Sequence, residues 1–400
     1  MKWIKSNKGL LLSVAFMLMT LTVFGPIELY LTNSSEFWFD FPEMLKISGI
    51  LTAVAGAVLM GIGLILRGKA RSFFSALVFA VTLCLYIQGN FLNIDYGVLD
   101  GRAIDWSAHV QYAVTNTLCW GVCITILLLL WKKKPELFDR IARITALLIM
   151  AVQILTIGML FVNNDVLAAD KKSRISTDHM MEIGSEDNIV IFILDTFDDP
   201  LMDSIMETDG DHYRTFFTDF TRFTDCAASG ATTAAAMPIL ISGEYYTNGL
   251  SYNDYVSSVF NSDGLYDTLK DQNYSINMYT ESIYVGTGAN GYVENYVEGA
   301  GQPNSYMGLA SKYGSFTLFK YMPHILKQYF WLYTGEFDAY KPGESYVMDE
   351  AAFYNTLVTE RLQITEKNSF QLIHLTGAHY PYTINEFAQP DEAATREQQA

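Results

Sequence analysis

Two adjacent threonines, set in a stretch of small residues, are the first candidates for chemistry. Residues 228–243 read ASGATTAAAMPILISG, so Thr232 and Thr233 follow serine, glycine and alanine and precede Pro238. Small side chains let another group approach the backbone closely. The run that follows is helix-like, with Pro238 expected near the first turn, and a helix N-terminus attracts anions. Beside a metal ion a threonine hydroxyl there could ionise and attack phosphorus or sulfur. The simpler alternative is that either threonine only caps the helix.

A carboxylate and an imidazole follow apolar runs elsewhere in the chain. Asp195 ends the run NIVIFILD, and carboxylate oxygens bind hard or borderline divalent cations. His379 lies in HLTGAHYPY (374–382), directly after a predicted strand. Imidazole at such a position can donate to a phosphoryl oxygen, ligate a metal or protonate a leaving group. The alternatives are an aspartate that caps a helix, a role that Asp198 and Asp199 fit better, and a histidine that lies on the surface.

The elements that must position these residues alternate between helix and strand. NIVIFILD is rich in Ile and Val, as is typical of a strand buried on both faces of a parallel sheet. Residues 264–280 and 349–375 each read as a helix followed by a strand, and residues 212–225 as a helix followed by an edge strand. This alternation favours an α/β sheet, in which ligands bind beyond the carboxyl ends of the strands. We therefore expect the Asp195 carboxylate and one of the two threonine hydroxyls to converge at that edge.

Residues 304–336 are unusually aromatic for this chain. The preferred interpretation is a pair of helices that pack into a core. The alternative is a surface that lies against lipid headgroups, where Trp and Tyr are favoured.

The first 162 residues have the composition of a membrane-spanning domain. They hold 13 Lys+Arg and 9 Asp+Glu, whereas the remaining 238 hold 13 and 34, within a total net charge of −17. Apolar runs of about 20 residues, the length that crosses a bilayer, predict five transmembrane helices, at 9–31, 45–66, 72–92, 108–131 and 141–162. Basic residues cluster before the first run, between the second and third, and between the fourth and fifth. The positive-inside rule therefore predicts a cytoplasmic N-terminus and an exterior location for everything after Val162.

The remaining chain is predicted to comprise a linker, 163–187, and an acidic, Tyr-rich extracytoplasmic domain, 188–400. Cys226 is the only cysteine of that domain, so the domain cannot contain an internal disulfide. This favours a Gram-positive-type cell. The acidic balance also gives no reason to expect a nucleic-acid partner.

Taken together, these features resemble a known family. The chain is similar over its whole length to the membrane-bound branch of the alkaline phosphatase/sulfatase superfamily, namely the lipoteichoic acid synthases and the lipid A phosphoethanolamine transferases. In that family an acidic metal ligand follows the first strand, where Asp195 lies. The nucleophilic threonine lies five residues before a proline, and counting back from Pro238 selects Thr233. A substrate-binding histidine lies in a motif like H-x-x-G-x-H-x-P, which HLTGAHYP matches at His379.

The resemblance implies a fold, a function and a cofactor. The fold would be a five-helix transmembrane bundle followed by an α/β sulfatase-like domain. The function would be transfer of a phosphorylated group, such as glycerol phosphate, from a membrane phospholipid to a cell-surface glycan or glycolipid through a phospho-threonine intermediate. One divalent metal ion would be held by Asp195 and Thr233. The family favours Mn²⁺, with Mg²⁺ and Zn²⁺ as alternatives.

Two departures from the family keep other functions open. The family completes its metal site with an Asp-His pair after the histidine motif, but here the only such pairs are 178–179 and 211–212, so we expect the sequence to be C-terminally incomplete. The missing disulfides make the phosphoethanolamine transferases the poorer match. A sulfatase is disfavoured because the sequence after Cys226 lacks the proline and arginine of a C-x-P-x-R motif. A phosphodiester hydrolase and a non-catalytic envelope scaffold on the same fold remain alternatives.

Overall fold

Five long apolar helices form most of the N-terminal part of the molecule. The computed structural model describes residues 7–97, 102–163, 172–224, 226–246, 249–261, 264–391 and 393–399. The helices are α1 (Lys8–Thr32), α2 (Phe41–Ile65), α3 (Gly68–Leu92), α4 (Trp106–Lys133) and α5 (Pro135–Asn163), and each is long and apolar enough to cross a membrane. Over the described residues, the predicted number of apolar helices is confirmed. All five begin earlier than predicted, and in α2 and α5 the first helical turn includes Pro42 and Pro135, a position where proline is tolerated.

The outward faces of these helices are apolar. Leu118, Leu147 and Leu155, for example, are 62%, 59% and 67% exposed. A single exposed leucine is ordinary on a soluble protein, but rows of them along several helices form large apolar surfaces. The structure therefore suggests a membrane protein.

The second part of the chain alternates strands and shorter helices. In chain order they are β1 (Ser173–Ile175), β2 (Glu182–Gly184), β3 (Asn188–Leu194), α6 (Asp199–Phe216), α7 (Thr233–Ser242), α8 (Tyr252–Ser258), α9 (Leu265–Asp271), β4 (Tyr274–Tyr279), α10 (Ser282–Val285), β5 (Tyr296–Glu298), α11 (Tyr306–Tyr321), α12 (His324–Lys327), α13 (Glu350–Thr359), β6 (Gln363–Thr365), β7 (Asn368–Leu375) and α14 (Arg396–Gln399). The helix-then-strand order predicted for 264–280 and 349–375 is confirmed.

The chain divides into two compact units whose boundaries differ from the predicted domains. Unit 1 contains residues 1–169 and 302–341, and unit 2 contains residues 170–301 and 342–400. The predicted outer domain, 188–400, was continuous, whereas α11 and α12 pack in the same unit as α1–α5. The predicted linker also contains strands of unit 2, because β1 pairs antiparallel with β5 and β2 pairs parallel with β6.

A parallel three-stranded sheet lies at the centre of unit 2, in the order β3–β7–β4. Leu194 of β3 pairs with Leu375 of β7, and Tyr279 of β4 pairs with Ile373, so the three strands end at nearly the same level. The core packs on β4 and β7, with Met278, Tyr279, Phe370, Leu372 and Ile373 all buried. The predicted mixed α/β character is therefore confirmed.

Two strand predictions were wrong. The run NIVIFILD forms β3 but is not buried on both faces, since Ile189, Val190, Phe192 and Leu194 are all more than a third exposed. The reason is that, among the described residues, β3 is an edge strand with β7 on one side only. The edge strand predicted within 212–225 is also absent, because α6 continues through Phe216 and residues 217–224 pair with no described strand.

Candidate functional site

The two threonines have different roles at the start of α7. Thr232 is the N-cap, and its Oγ1 accepts a hydrogen bond from the N–H of Ala235 at 3.3 Å. Thr233 is the first helical residue, so its side chain points in another direction. The expectation that Thr232 packs or caps is confirmed for the cap.

The small residues before the threonines pack against the helix they precede. A Cβ added to Gly230 would lie 2.7 Å from the Cβ of Ala235 and 2.9 Å from the backbone N of Ala236. Glycine is therefore required for the turn to fold back on the first turn of α7. The small residues before the threonines were expected to let another group approach the backbone. At Gly230, the group that approaches is the first turn of α7.

Pro238 lies deeper in α7 than predicted, beyond the first turn. A proline inside a helix has no N–H to donate to the carbonyl four residues before it, which here belongs to Ala234. The hydroxyl of Tyr252 donates to that carbonyl oxygen at 2.9 Å. Tyr252 thus supplies the hydrogen bond that Pro238 removes and joins α8 to the helix that carries Thr233.

Asp195 and Thr233 meet at the carboxyl edge of the sheet, as predicted. Thr233 Oγ1 donates to Asp195 Oδ2 at 3.1 Å, and the Asp195 side chain is about one-fifth exposed. The other carboxylate oxygen accepts from the N–H of Thr196 at 2.9 Å. The carboxylate is therefore oriented on both of its oxygens and still open to solvent.

The loop after β7 is fastened to the backbone of Asp195. The N–H of Asp195 donates to Leu375 O at 3.1 Å, and the N–H of Ala378 donates to Asp195 O at 2.9 Å. Between them, Gly377 has a φ of +58°, and a Cβ there would lie 2.7 Å from both the N and the O of Asp195. Only glycine fits this backbone and this separation. The Gly377 N–H donates to Glu350 Oε1 at 2.8 Å, which fixes the loop from its other side.

His374 is a site residue that the sequence reasoning missed. It lies in β7, is fully buried, and its Nδ1 is 2.9 Å from Thr280 Oγ1. Its Nε2 has no hydrogen-bond partner among the described residues and lies 4.0 Å from Asp195 Oδ2. Burial lowers the pKa of this imidazole, an effect that nearby Asp195 opposes and His379 reinforces. The available signal was the first histidine of HLTGAHYP, which is embedded in an apolar strand and therefore resembles a core residue.

His379 lies in the same loop, but with a different local partner. It is half-buried, and its Nδ1 is 2.6 Å from the carbonyl oxygen of Tyr380. Gln399 Nε2 donates to the carbonyl oxygens of His379 and Gly377, each at 3.0 Å, and so holds the loop in place. Within the described chain no hydrogen bond joins the His379 imidazole to Asp195 or Thr233.

The two Asp-His pairs of the sequence lie away from this edge, as expected. Residues 178–179 lie between β1 and β2, where Gln371 Nε2 donates to the carbonyl oxygen of His179 at 3.3 Å, beside the middle of β7. Residues 211–212 lie inside α6. Among the described residues no group of three or more His, Cys, Asp or Glu side chains is arranged to hold a metal ion.

The chain was compared with family models, curated proteins and solved structures. No family model matches it, no curated protein matches it, and no solved structure matches it.

Proposed function

We propose that the chain is a membrane-anchored transferase that moves a phosphorylated group, such as glycerol phosphate, from a membrane lipid to a cell-surface glycan or glycolipid. The observation that carries this proposal is the 3.1 Å hydrogen bond from Thr233 Oγ1 to Asp195 Oδ2 at the N-terminus of α7. A hydroxyl nucleophile, an adjacent carboxylate and the free N–H groups of a helix together suit an anionic phosphoryl group. We also propose that unit 2 has a sulfatase-like fold and that the chain is related to the lipoteichoic acid synthases.

The membrane setting follows from the helices and the charges. Five helices could each cross a bilayer, and the basic clusters predict a cytoplasmic N-terminus with unit 2 outside. A lipid donor and an envelope acceptor both lie at the outer surface of the membrane, which explains why such a transferase would be anchored there.

Two displacements would complete the transfer. In the first, Thr233 Oγ bonds to phosphorus while the bond from phosphorus to the lipid alcohol breaks; the Thr233 proton passes to solvent at the open side of the Asp195 carboxylate, and His379 protonates the departing alkoxide. In the second, an acceptor hydroxyl attacks the same phosphorus and gives its proton to His379. Thr233 Oγ then leaves and regains a proton from solvent, so that every group returns to its starting state.

The side chains at this edge of the sheet carry atoms of the types that bind divalent cations. Asp195 Oδ2, Thr233 Oγ1 and the unpaired, buried His374 Nε2 are oxygen and imidazole donors of the type that Mn²⁺, Mg²⁺ or Zn²⁺ accept. These three residues would hold the ion, with Mn²⁺ favoured by the resemblance. When bound, the ion would lower the pKa of the Thr233 hydroxyl and stabilise charge on the transferred group.

The paired variants Thr233→Ala and Thr232→Ala test the proposal. Membranes that contain the full chain are given fluorescent analogues of phosphatidylglycerol or phosphatidylethanolamine, and formation of the fluorescent lipid alcohol is measured. Thr233→Ala removes the nucleophile and should abolish turnover. Thr232→Ala removes only the cap, so it should retain activity while losing about 1 kcal/mol of stability. Full turnover by Thr233→Ala, or no turnover of either lipid by the unaltered chain, would contradict the proposal.

A further inference from the structure

Residues 302–341 interrupt the sequence of unit 2, because the chain on either side of them belongs to that unit. They themselves belong to unit 1, with the long apolar helices. Aromatic burial dominates this packing. Tyr313 of α11 is fully buried, its hydroxyl donates to Pro26 O at 3.2 Å, and its ring centroid lies 5.3 Å from that of Phe37. Phe337 adds a second contact, with its ring centroid 5.5 Å from that of Phe37 and its carbonyl oxygen 3.0 Å from Trp38 Nε1, which donates to it.

Two glycines of the long helices make room for one tyrosine of this segment. Tyr321 is fully buried, and a Cβ on Gly25 of α1 or on Gly89 of α3 would lie 2.8 Å or 2.6 Å from its ring. Gly25 directly follows the π-helix Met19–Phe24, and Gly89 lies within the π-helix Gln88–Leu92. Such stretches are rare and often mark places where a helix is shaped around something else. Here α1 and α3 are both shaped to receive Tyr321.

Polar contacts join the segment to α1 and α3. Lys320 forms an ion pair with Glu28 of α1, and both side chains are about four-fifths buried. Asn93, directly after α3, donates through Nδ2 to the carbonyl oxygen of Lys320 at 2.9 Å. A second group of contacts lies at α12, where the His324 N–H donates to Asn116 Oδ1 of α4 at 3.3 Å.

A buried lysine forms hydrogen bonds with the last turn of α11. Lys327 is 1% exposed, and its ammonium group donates to the carbonyl oxygens of Phe319 and, at 3.0 Å, of Lys320. These are carbonyls of the last helical turn, which lack partners within the helix and favour a cation. Lys327 thus supplies the hydrogen bonds that these two carbonyl oxygens lack within α11.

We propose that residues 302–341 are a second membrane anchor of unit 2, independent of the chain that connects α5 to β1; this rests on the proposed embedding of α1–α5. The chain passes between the units before β1, at 301–302 and at 341–342. Cutting the first connection alone leaves unit 2 joined through both ends of a segment that contacts α1, α3 and α4. The enzyme therefore stays at the membrane after its linker is cut.

The test places a sequence-specific protease site in the full chain at the connection between positions 166 and 167. A matched variant carries the same site there, at 301–302 and at 341–342. Membranes are treated with protease, washed with high salt and sedimented, and unit 2 is followed with an antibody. We expect no loss of unit 2 from the pellet of the single-site variant, although gel electrophoresis shows the chain cut, and release of unit 2 from the three-site variant.

The other outcomes overturn the proposal. Release from the single-site variant would show that residues 302–341 do not anchor unit 2. Retention after all three cuts would assign the attachment to another surface. Uncut chain in the soluble fraction would instead count against the membrane embedding of α1–α5, so failure of that premise is distinguishable from failure of the anchor.

Discussion

At the scale of single residues, the buried imidazole of His374 makes a testable link between pH and stability. Burial lowers its pKa below the ordinary value of 6.5, so the folded protein binds fewer protons than the unfolded chain in the interval between the two values. Stability is therefore complete above the unfolded pKa and is lost as pH falls below about 6.5, by up to about 1.4 kcal/mol per pH unit within the interval. His374→Gln should remove this component.

The measurement is thermal unfolding of the detergent-solubilised full chain across that pH range, in the presence of a chelator so that no metal occupies the imidazole. His212→Gln is the matched control, because His212 lies on exposed α6 and should leave the pH dependence unchanged. The same pH dependence in His374→Gln and in the unaltered chain would contradict the assignment.

The sequence predicted some of these residues and not others, for physical reasons. Adjacent positions at a helix start point about 100° apart, so only one of Thr232 and Thr233 can face the sheet. The family resemblance, which places the nucleophile five residues before Pro238, selected Thr233. His374 could not be found in the same way. Its side chain lies within an apolar strand, and only the pairing of β3 with β7 brings its Nε2 towards Asp195.

At the scale of elements, the loop after β7 sets the position of Asp195 and depends on Gly377. Gly377→Ala adds a Cβ at 2.7 Å from the Asp195 backbone to a residue whose φ is +58°. We expect a loss of about 1–3 kcal/mol of stability from the backbone conformation and the clash, together with a large loss of the proposed lipid turnover.

Gly343→Ala is the control for that variant, since a Cβ at Gly343 meets nothing within 4 Å. Chemical unfolding and the lipid-turnover assay should both distinguish the two substitutions. Equal stability and activity in Gly377→Ala and Gly343→Ala would show that the loop does not depend on its glycine.

Element type was more predictable than element environment. The Ile- and Val-rich composition of β3 correctly indicated a parallel strand. Composition does not show how many strands flank it, so it could not predict how far its side chains are buried. Among the described residues β3 has one neighbour, so its side chains are exposed. The proline of α7 shows the same limit, because the hydroxyl of Tyr252 that compensates for Pro238 comes from another helix.

At the scale of the whole molecule, local hydrophobicity predicted the five apolar helices. It did not predict that residues 302–341 pack in the same unit as those helices. The contacts of this segment join residues nearly 300 positions apart, such as Tyr313 with Pro26. Periodicity describes which face of a helix is apolar and does not identify the partner of that face.

Native Cys226, which is exposed in unit 2, gives a direct test of the predicted orientation. A membrane-impermeant maleimide added to intact cells or protoplasts should label the chain, and Cys226→Ser should abolish that label. In the Cys226→Ser background, Lys133→Cys should react only after permeabilisation, because the basic clusters predict that this connection is cytoplasmic. Labelling of Lys133→Cys in intact cells would reverse the orientation.

The central claim is that Thr233 carries the transferred group during turnover, and the most direct measurement is the mass of its peptide. The full chain in vesicles of phosphatidylglycerol or of phosphatidylethanolamine, without acceptor, is quenched in acid, digested and analysed by fragmentation mass spectrometry over residues 228–243. The account predicts a peptide heavier by glycerol phosphate or phosphoethanolamine, with the added mass on Thr233 and absent from Thr233→Ala. The same mass located on Thr232, or an unmodified peptide from vesicles whose lipid is being turned over, would contradict it.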